Sequence, residues 1–345
     1  MKIGILTHPQ HANYGGILQC YALSEFLKKI GHEPFVIKRK PNRPIFIKRW
    51  ILALLRFLKI LRYYDPQKVD RTLNMRPFVE TYLNLTRPVY NSKQLSTLCN
   101  KYGLNAVVVG SDQVWRRNFA LNYGYNYFLD SVPSHIIKAS YAASFGLDVW
   151  EYTKEETQHI QRLLNDFSNI SVREESAVTL CKENLNINAE WVLDPTLLLT
   201  QDDYDKITSR RLVEEKYIFV YWLGDKTTIQ KDIENYESEG YSIININLKE
   251  ERVQESIEDW LSYIKYADFV VTDSFHGVVF SIIFKKKFFM FKNDSGGNSR
   301  LASLMKVLQV IPELFESNQT LDYDVIENRI NLLREESKEF LLKLR

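Results

Sequence analysis

Residues 266–284, YADFVVTDSFHGVVFSIIF, decide how this chain is interpreted. The segment predicts a strand over 268–272, a polar turn, and then an apolar helix. A strand that ends in small and polar residues and leads into a helix is the usual place for a binding site in an α/β protein. The reason is that the helix N-terminus favours negative charge. His276 lies in that turn, so it either contacts a ligand or only caps and packs against its own helix.

The start of the chain predicts the same kind of unit. A strand over 2–7 is followed by a loop, a helix from about Ile17 to Ile30 that ends at Gly31, and a strand over 34–38. This βαβ order implies a parallel sheet. The loop has no G-x-G-x-x-G or P-loop pattern, but its small residues let a ligand approach the backbone closely. These loop residues are Asn13, Tyr14, Gly15 and Gly16.

Four more strands are expected to end in polar residues in the first half of the chain. The first, at 106–109, is followed by Gly110, Ser111, Asp112 and Gln113, and the second, at about 136–142, by Ser144. The third, at 170–172, is followed by Arg173 and Glu174, and the fourth by Asp194 and Pro195. The ends of parallel strands share one edge, so these residues should form one wall of a cleft. Asp112 and Gln113 either bind a ligand or cap the next segment, and Asp194 is interpreted as a structural turn.

A second α/β pattern begins after the polar stretch 198–215 and includes 266–284. We therefore expect an N-terminal α/β domain over 1–205, a C-terminal α/β domain over 206–310 and a helical segment over 311–345 that packs back on the first domain. Two Rossmann-like domains that face each other across a cleft form a GT-B-like fold.

The composition excludes several classes of protein. The net charge of +2 over 345 residues gives no support to nucleic-acid binding. The three cysteines are far apart and lack C-x-x-C spacing, and the six histidines are scattered, so we expect neither disulfides nor a metal site. No signal peptide and no membrane-spanning segment are predicted, which indicates a cytoplasmic protein.

Residues 45–64, IFIKRWILALLRFLKILRYY, predict a basic amphipathic helix. Such a helix either lies on an anionic membrane surface or packs on the protein with a solvated basic face. In the first case the protein would be peripheral at the inner face of the membrane.

Several segments follow one another in order up to about residue 308, namely NYGGILQCYAL, VVVGSDQVW, SYAASFG, SVREES, VLDPTLLL, DFVVTDSFHGVVFSIIF and NSR. Together, in this order and spacing, they resemble the polysaccharide pyruvyl transferase family. The resemblance implies a GT-B-like transferase that moves pyruvate from phosphoenolpyruvate onto two hydroxyls of a sugar. The product is a cyclic ketal on a cell-surface polysaccharide, such as an exopolysaccharide, or on its lipid-linked precursor. The donor is a substrate, and no cofactor or metal is implied.

The resemblance also implies roles for individual residues. His276 matches the histidine at the family's donor site, and Arg173 matches an arginine that contacts the donor, so both are assigned as catalytic. A donor with a carboxylate and a phosphate calls for arginine, which makes two parallel hydrogen bonds to either group. We assign the donor to Ser274, Gly277, Ser299 and Arg300, and the sugar acceptor to Asn13, Tyr14, Gly15, Gly16, Ser111, Asp112, Gln113 and Ser144.

Two other functions remain open at this point. One is a GT-B glycosyltransferase that uses a nucleotide sugar. The other is a non-catalytic member that binds a glycan. Both differ from a pyruvyltransferase in whether phosphoenolpyruvate binds.

Overall fold

The structure is a computed structural model, and it describes residues 1–9, 13–41, 69–224, 229–248, 250–291, 298–308 and 321–344. The predicted amphipathic helix at 45–64 lies outside the described residues. Among the helices inside them, none combines the length and the apolar character needed to cross a bilayer.

The first part of the chain forms a six-stranded parallel sheet. In chain order its strands are β1 (Lys2–Leu6), β2 (Glu33–Val36), β3 (Ala106–Val109), β5 (Ile137–Ala143), β6 (Asn169–Val172) and β7 (Glu190–Trp191), while the short strand β4 (Asn122–Tyr125) lies outside this sheet. The order across the sheet is β2-β1-β3-β5-β6-β7. Strands such as β3 consist of buried Ala and Val throughout, which is typical of a parallel sheet covered on both faces.

Helices connect and cover these strands. They are α1 (Tyr14–Lys29), α2 (Arg76–Tyr82), α3 (Ser92–Tyr102), α4 (Arg117–Ala120), α5 (Lys154–Leu164), α6 (Glu175–Leu185) and α7 (Gln201–Asp205). Short 3-10 turns occur at Asn126–Phe128 and Pro195–Leu198.

The second part of the chain forms a four-stranded parallel sheet. Its strands are β8 (Tyr217–Trp222), β9 (Ser242–Asn247), β10 (Phe269–Thr272) and β11 (Lys287–Met290), in the order β11-β10-β8-β9. The helices of this part are α8 (Gln230–Ser238), α9 (Ile257–Tyr266), α10 (Phe275–Ile283) and α11 (Asn298–Leu308), and the chain closes with α12 (Tyr323–Leu342). Two parallel α/β units confirm the predicted fold of two Rossmann-like, GT-B-like domains.

Helix α1 begins earlier than predicted. Asn13 is its N-cap, and the Asn13 side chain accepts a hydrogen bond of 3.0 Å from the Gly16 amide. Gly15 and Gly16 therefore lie in the first helical turn, and their prediction as loop residues was wrong. A good asparagine cap offsets the low helix propensity of glycine at this point. The predicted end is confirmed, since Gly31 follows the helix with a φ of 85°.

Helix α9 begins after its cap Ser256, which accepts a hydrogen bond from the Asp259 amide. Helix α8 begins at Gln230, and residues 225–228 lie outside the described part.

The two α/β units pack against each other through aromatic residues. The Tyr14 ring stacks on Trp260 with 5.1 Å between the ring centroids, and the Tyr14 hydroxyl donates a hydrogen bond of 3.1 Å to the Glu255 carbonyl. Helix α12 lies on the first unit, where Ser337 accepts a hydrogen bond from the Leu193 amide. The exact domain boundaries stay a prediction.

Candidate active site

Arg173 follows β6 and is buried against two aspartates. Its Nη1 donates a hydrogen bond of 2.8 Å to Oδ2 of Asp194, and its Nη2 lies 3.4 Å from Oδ1 of Asp112. The guanidinium carbon also lies 4.9 Å from the centre of the Phe275 ring, which belongs to the second unit. Arg173 thus joins the C-terminal edges of the two sheets.

Asp112 lies in the turn after β3. Burial raises the pKa of Asp112, but the positive charge of Arg173 and the nearby His8, His276 and Arg300 lower it by more, so this pKa lies below its usual value. Asp112 is therefore ionised at neutral pH and balances part of the positive charge around it.

Glu174 is a third buried carboxyl group. Its Oε1 accepts hydrogen bonds from the Ser144 hydroxyl at 2.7 Å and from the Phe145 amide at 3.0 Å. Its Oε2 is buried without a hydrogen-bond partner in the described part of the chain, 4.0 Å from Nε of Arg173. Burial raises the pKa of Glu174 above its usual value, although Arg173 opposes this shift.

His276 is positioned by a short chain of hydrogen bonds at the start of α10. The Thr272 hydroxyl donates to the Tyr221 carbonyl at 2.7 Å and accepts from the Ser274 amide at 3.0 Å. Ser274 then caps the helix by accepting from the Gly277 amide at 3.4 Å. A Cβ atom at position 277 would lie 2.3 Å from Oγ1 of Thr272, so this close approach of helix and strand requires glycine.

The His276 imidazole is 9% exposed and faces Asp194. Its Nε2 lies 3.8 Å from Oδ2 of Asp194. Burial lowers the pKa of His276 below its usual value, and the negative charge of Asp194 opposes this shift only in part. The neutral imidazole is therefore the favoured form at neutral pH.

Several buried nitrogen atoms of this site have no hydrogen-bond partner in the residues that the structure describes. They are Nε of Arg116, Arg173 and Arg300 and Nε2 of His276. Burial, followed by the positive charge of Arg173, lowers the pKa of Arg300 to about 10, and Arg116 contributes in the same direction. Unpaired buried donors are unfavourable. The unpaired guanidinium nitrogens of these three arginines form a candidate anion site.

A cavity of about 310 Å³ adjoins Asp112. Four residues assigned to the acceptor line this cavity, namely Asn13, Gly16, Asp112 and Gln113. They are joined by residues that the sequence did not single out, namely His8, Pro9, Phe119, Asn122 and Tyr123. Aromatic faces beside amide and carboxyl groups give the cavity both apolar and polar walls.

The other assigned residues lie elsewhere. Tyr14 is fully buried between the two units, Ser111 donates to the Ala142 carbonyl, and Ser144 donates to Glu174. Gly15 packs directly against His276. Arg300 lies in the first turn of α11 near Arg173, whereas the Ser299 side chain lies outside the described part.

Sequence reasoning underestimated Asp194 and did not assign Glu174. Asp194 does form the predicted turn, in which its Oδ1 accepts from the amide and hydroxyl of Thr196. Its other oxygen, however, faces Arg173 and His276. The available signal was its position directly after a strand at the same sheet edge as Arg173.

The fold and this cluster define a two-domain α/β protein with a candidate anion site where the two sheets meet. No group of three or more His, Cys, Asp or Glu residues suited to a metal ion occurs within the described ranges. A family model for polysaccharide pyruvyl transferase matches residues 13–295. The chain belongs to the polysaccharide pyruvyl transferase family, whose members are transferases of polysaccharide biosynthesis.

Solved structures show similarity over the whole chain at low identity. UDP-GlcNAc 2-epimerase from Methanocaldococcus jannaschii is 14% identical, with a TM-score of 0.49 over 97% of this chain and 93% of that one. An α-glucosyltransferase (AGT) in complex with UDP is 10% identical, with a TM-score of 0.45 over 100% of this chain and 96% of that one. The glycosyltransferase SsfS6 from Streptomyces sp. SF2575 is 11% identical, with a TM-score of 0.38 over 98% and 96%. No curated protein sequence matches the chain.

Proposed function

We propose that the protein transfers pyruvate from phosphoenolpyruvate to two hydroxyl groups of a sugar and releases phosphate. The observation that carries this proposal is the group of unpartnered buried guanidinium nitrogens of Arg116, Arg173 and Arg300 beside His276. Phosphoenolpyruvate carries a carboxylate and a phosphate on a three-carbon unit, so it needs several fixed cations close together.

The donor is bound by the arginines of this cluster. Nη1 of Arg173 makes a short hydrogen bond of 2.8 Å to Asp194, whereas Nη2 makes only a long one of 3.4 Å to Asp112. Nε and Nη2 therefore remain for a carboxylate or phosphate. Arg300 supplies a second positive charge that remains protonated at neutral pH. Ser274 and Gly277 place the N-terminus of α10 at the same site, and its partial positive charge favours the donor.

The proposed reaction transfers two protons and forms two bonds to carbon 2 of the donor. The first sugar hydroxyl forms a bond to carbon 2, while its proton passes through His276 to the methylene carbon, which becomes the methyl group. The second hydroxyl then forms its bond to carbon 2 as the bond between carbon 2 and the phosphate oxygen breaks. Phosphate departs with the second proton. A neutral imidazole is the form of His276 that can accept the first proton.

The acceptor sugar is bound in the cavity next to Asp112. Asn13, Asp112 and Gln113 supply polar contacts, and the aromatic residues of the cavity supply an apolar face for the ring.

We further propose that the acceptor is a cell-surface polysaccharide or its lipid-linked precursor, that the protein works in the cytoplasm, and that segment 45–64 brings it to the inner membrane face. Unchanged sedimentation with anionic liposomes after replacement of Lys48, Arg49 and Arg56 by Glu would count against the membrane contact.

Phosphate release tests the proposed function. The purified full chain is incubated with phosphoenolpyruvate and a panel of sugars that carry neighbouring hydroxyl pairs, and phosphate and the ketal methyl signal are measured. We expect release only when a suitable sugar is present, and none with His276→Ala. Transfer from a nucleotide sugar instead would identify a glycosyltransferase. Glycan binding without any turnover, unchanged by His276→Ala, would identify a non-catalytic protein.

A further inference from the structure

The carboxylate of Asp194 is the point at which side chains from both α/β units meet. Its Oδ2 accepts a hydrogen bond from Nη1 of Arg173 at 2.8 Å and lies 3.3 Å from the Ser111 hydroxyl oxygen. The same oxygen lies 3.8 Å from Nε2 of His276, which comes from the second unit. The side chain is 1% exposed, so water does not screen these interactions.

The two oxygens of Asp194 have different tasks. Oδ1 is used locally, because it accepts from the Thr196 amide at 3.0 Å and the Thr196 hydroxyl at 2.7 Å at the start of a 3-10 turn. That turn fixes the direction of the carboxylate. Oδ2 is left to contact residues that are far away in sequence.

The nitrogen of His276 that does not face Asp194 lies against the first turn of α1. A Cβ atom on Gly15 would be 2.0 Å from Nδ1 of His276, so this nitrogen packs against the turn at Asn13–Gly16. Asn13 and Gly16 both line the cavity of about 310 Å³. Nε2 thus faces the buried carboxylate and Nδ1 faces the cavity-lining turn.

We propose that Asp194 is a positioning residue that holds Arg173 and His276 in register across the two units and fixes the proton of His276 on Nε2. Nδ1 is then the nitrogen that exchanges a proton during the reaction. The role of Nδ1 in the reaction rests on the proposed function, whereas the position of the proton on His276 does not depend on which donor binds. It adds a role for a residue that otherwise only forms a turn.

The charges around His276 agree with this role. Asp194 and Asp112 raise the pKa of His276, while burial, Arg173 and Arg300 lower it. Burial is the largest of these effects, and Asp194 is the largest that favours the protonated form. Loss of the Asp194 charge should therefore lower the pKa of His276 further.

The first test determines the tautomer of His276 in the native chain. Histidine side chains are labelled with nitrogen-15, and the signals of His276 are assigned by their loss in His276→Gln. The nitrogen chemical shifts of a neutral imidazole show which nitrogen carries the proton. We expect the proton on Nε2. A proton on Nδ1 would overturn the proposal.

The second test compares two variants by the same signals. Asp194→Asn keeps an oxygen that can accept from Thr196 but loses the charge, and it should lower the titration midpoint of His276 by about 1 pH unit or more. Thr196→Val removes one hydrogen bond to Oδ1 and keeps the charge, so it should lower the melting temperature and leave the midpoint unchanged. An unchanged midpoint in folded Asp194→Asn would overturn the proposal.

A parallel titration of the native protein with phosphoenolpyruvate, followed by thermal shift, separates the two hypotheses. If phosphoenolpyruvate does not stabilise the native protein, the proposed function fails, whereas the tautomer and the midpoint still decide whether Asp194 positions His276. If phosphoenolpyruvate does stabilise it, Asp194→Asn should shift the acidic limit of the turnover rate to lower pH, together with the His276 midpoint.

Discussion

A Cβ atom placed on Gly15 would lie 2.0 Å from Nδ1 and 2.3 Å from Cγ of His276. The first turn of α1 thus leaves space that the imidazole from the other α/β unit occupies. Gly15→Ala should push His276 away from Asp194 and reduce the turnover rate by about 100-fold, as a displacement of about 1 Å can do. Steady-state phosphate release measures this loss.

The matched control for Gly15→Ala lies on the same helix. Ser24 is buried in α1, and its hydroxyl has no hydrogen-bond partner in the described residues. Ser24→Ala should leave the turnover rate unchanged. If both variants lose activity equally, the effect belongs to the helix, and the contact between Gly15 and His276 has no special role.

Arg173 should not be replaceable by lysine. A lysine preserves the charge but cannot hold Asp194 and a carboxylate or phosphate with one planar group, so Arg173→Lys should weaken phosphoenolpyruvate binding roughly 10- to 100-fold. Arg117→Lys is the control, because Arg117 makes a comparable two-bond pair with Glu156 at 2.8 Å, and this pair contributes no residue to the proposed site. Calorimetric titration measures both, and equal affinities for the two variants would contradict the assignment of Arg173.

Phe119 should contribute to binding of the acceptor sugar and not to binding of phosphoenolpyruvate. Its side chain lines the cavity, is 40% exposed and packs edge-on against His8 with 5.4 Å between ring centroids. Phe119→Ala should raise the KM for the sugar about 10-fold and leave the KM for phosphoenolpyruvate unchanged. Leu332→Ala, on the exposed face of α12, is the control and should change neither constant. A larger effect on the donor than on the acceptor would place the sugar elsewhere.

Glu174 should make the protein less stable at high pH. Burial raises the pKa of Glu174 in the folded protein above that of the unfolded chain. The folded state therefore binds this proton more tightly, and stability is lost as the pH rises through the folded pKa. Glu174→Gln cannot ionise. The melting temperature of this variant minus that of the native protein should therefore be more positive at about pH 8 than at about pH 4.

Glu156 provides a control with the opposite sign. The hydrogen bond from Arg117 lowers the pKa of Glu156, so this group stabilises the folded state above its unfolded pKa. The melting temperature of Glu156→Gln minus that of the native protein should therefore be more negative at high pH than at low pH. If the two variants respond to pH in the same direction, the effect does not come from the carboxyl groups.

The sequence was sufficient for the fold because the buried strands are strongly marked. Runs such as Ala106–Val109 and Phe269–Thr272 are apolar throughout and are followed by turn residues, so their type and their parallel order could be predicted. The start of α1 could not be predicted, because the helix depends on one hydrogen bond that the Asn13 side chain accepts from the Gly16 amide. This cap offsets the low helix propensity of two glycines.

The site could be predicted only in part for a similar reason. The positions of Arg173 and His276 follow from strand ends and from the family resemblance. Tyr14 lies in the same motif as Gly15 and Gly16, yet its ring faces Trp260 and not the cavity. Asp194 forms a local turn and also makes long-range contacts. These contacts depend on how the two sheets pack together, and a local sequence pattern cannot predict that packing.

Calorimetric titration of the native protein with phosphoenolpyruvate, and separately with a uridine nucleotide sugar, tests the central claim most directly. The account predicts saturable binding of phosphoenolpyruvate that is lost in Arg173→Met, and no binding of the nucleotide sugar. Tight binding of the nucleotide sugar with no heat from phosphoenolpyruvate, in the presence or absence of an acceptor sugar, would contradict it.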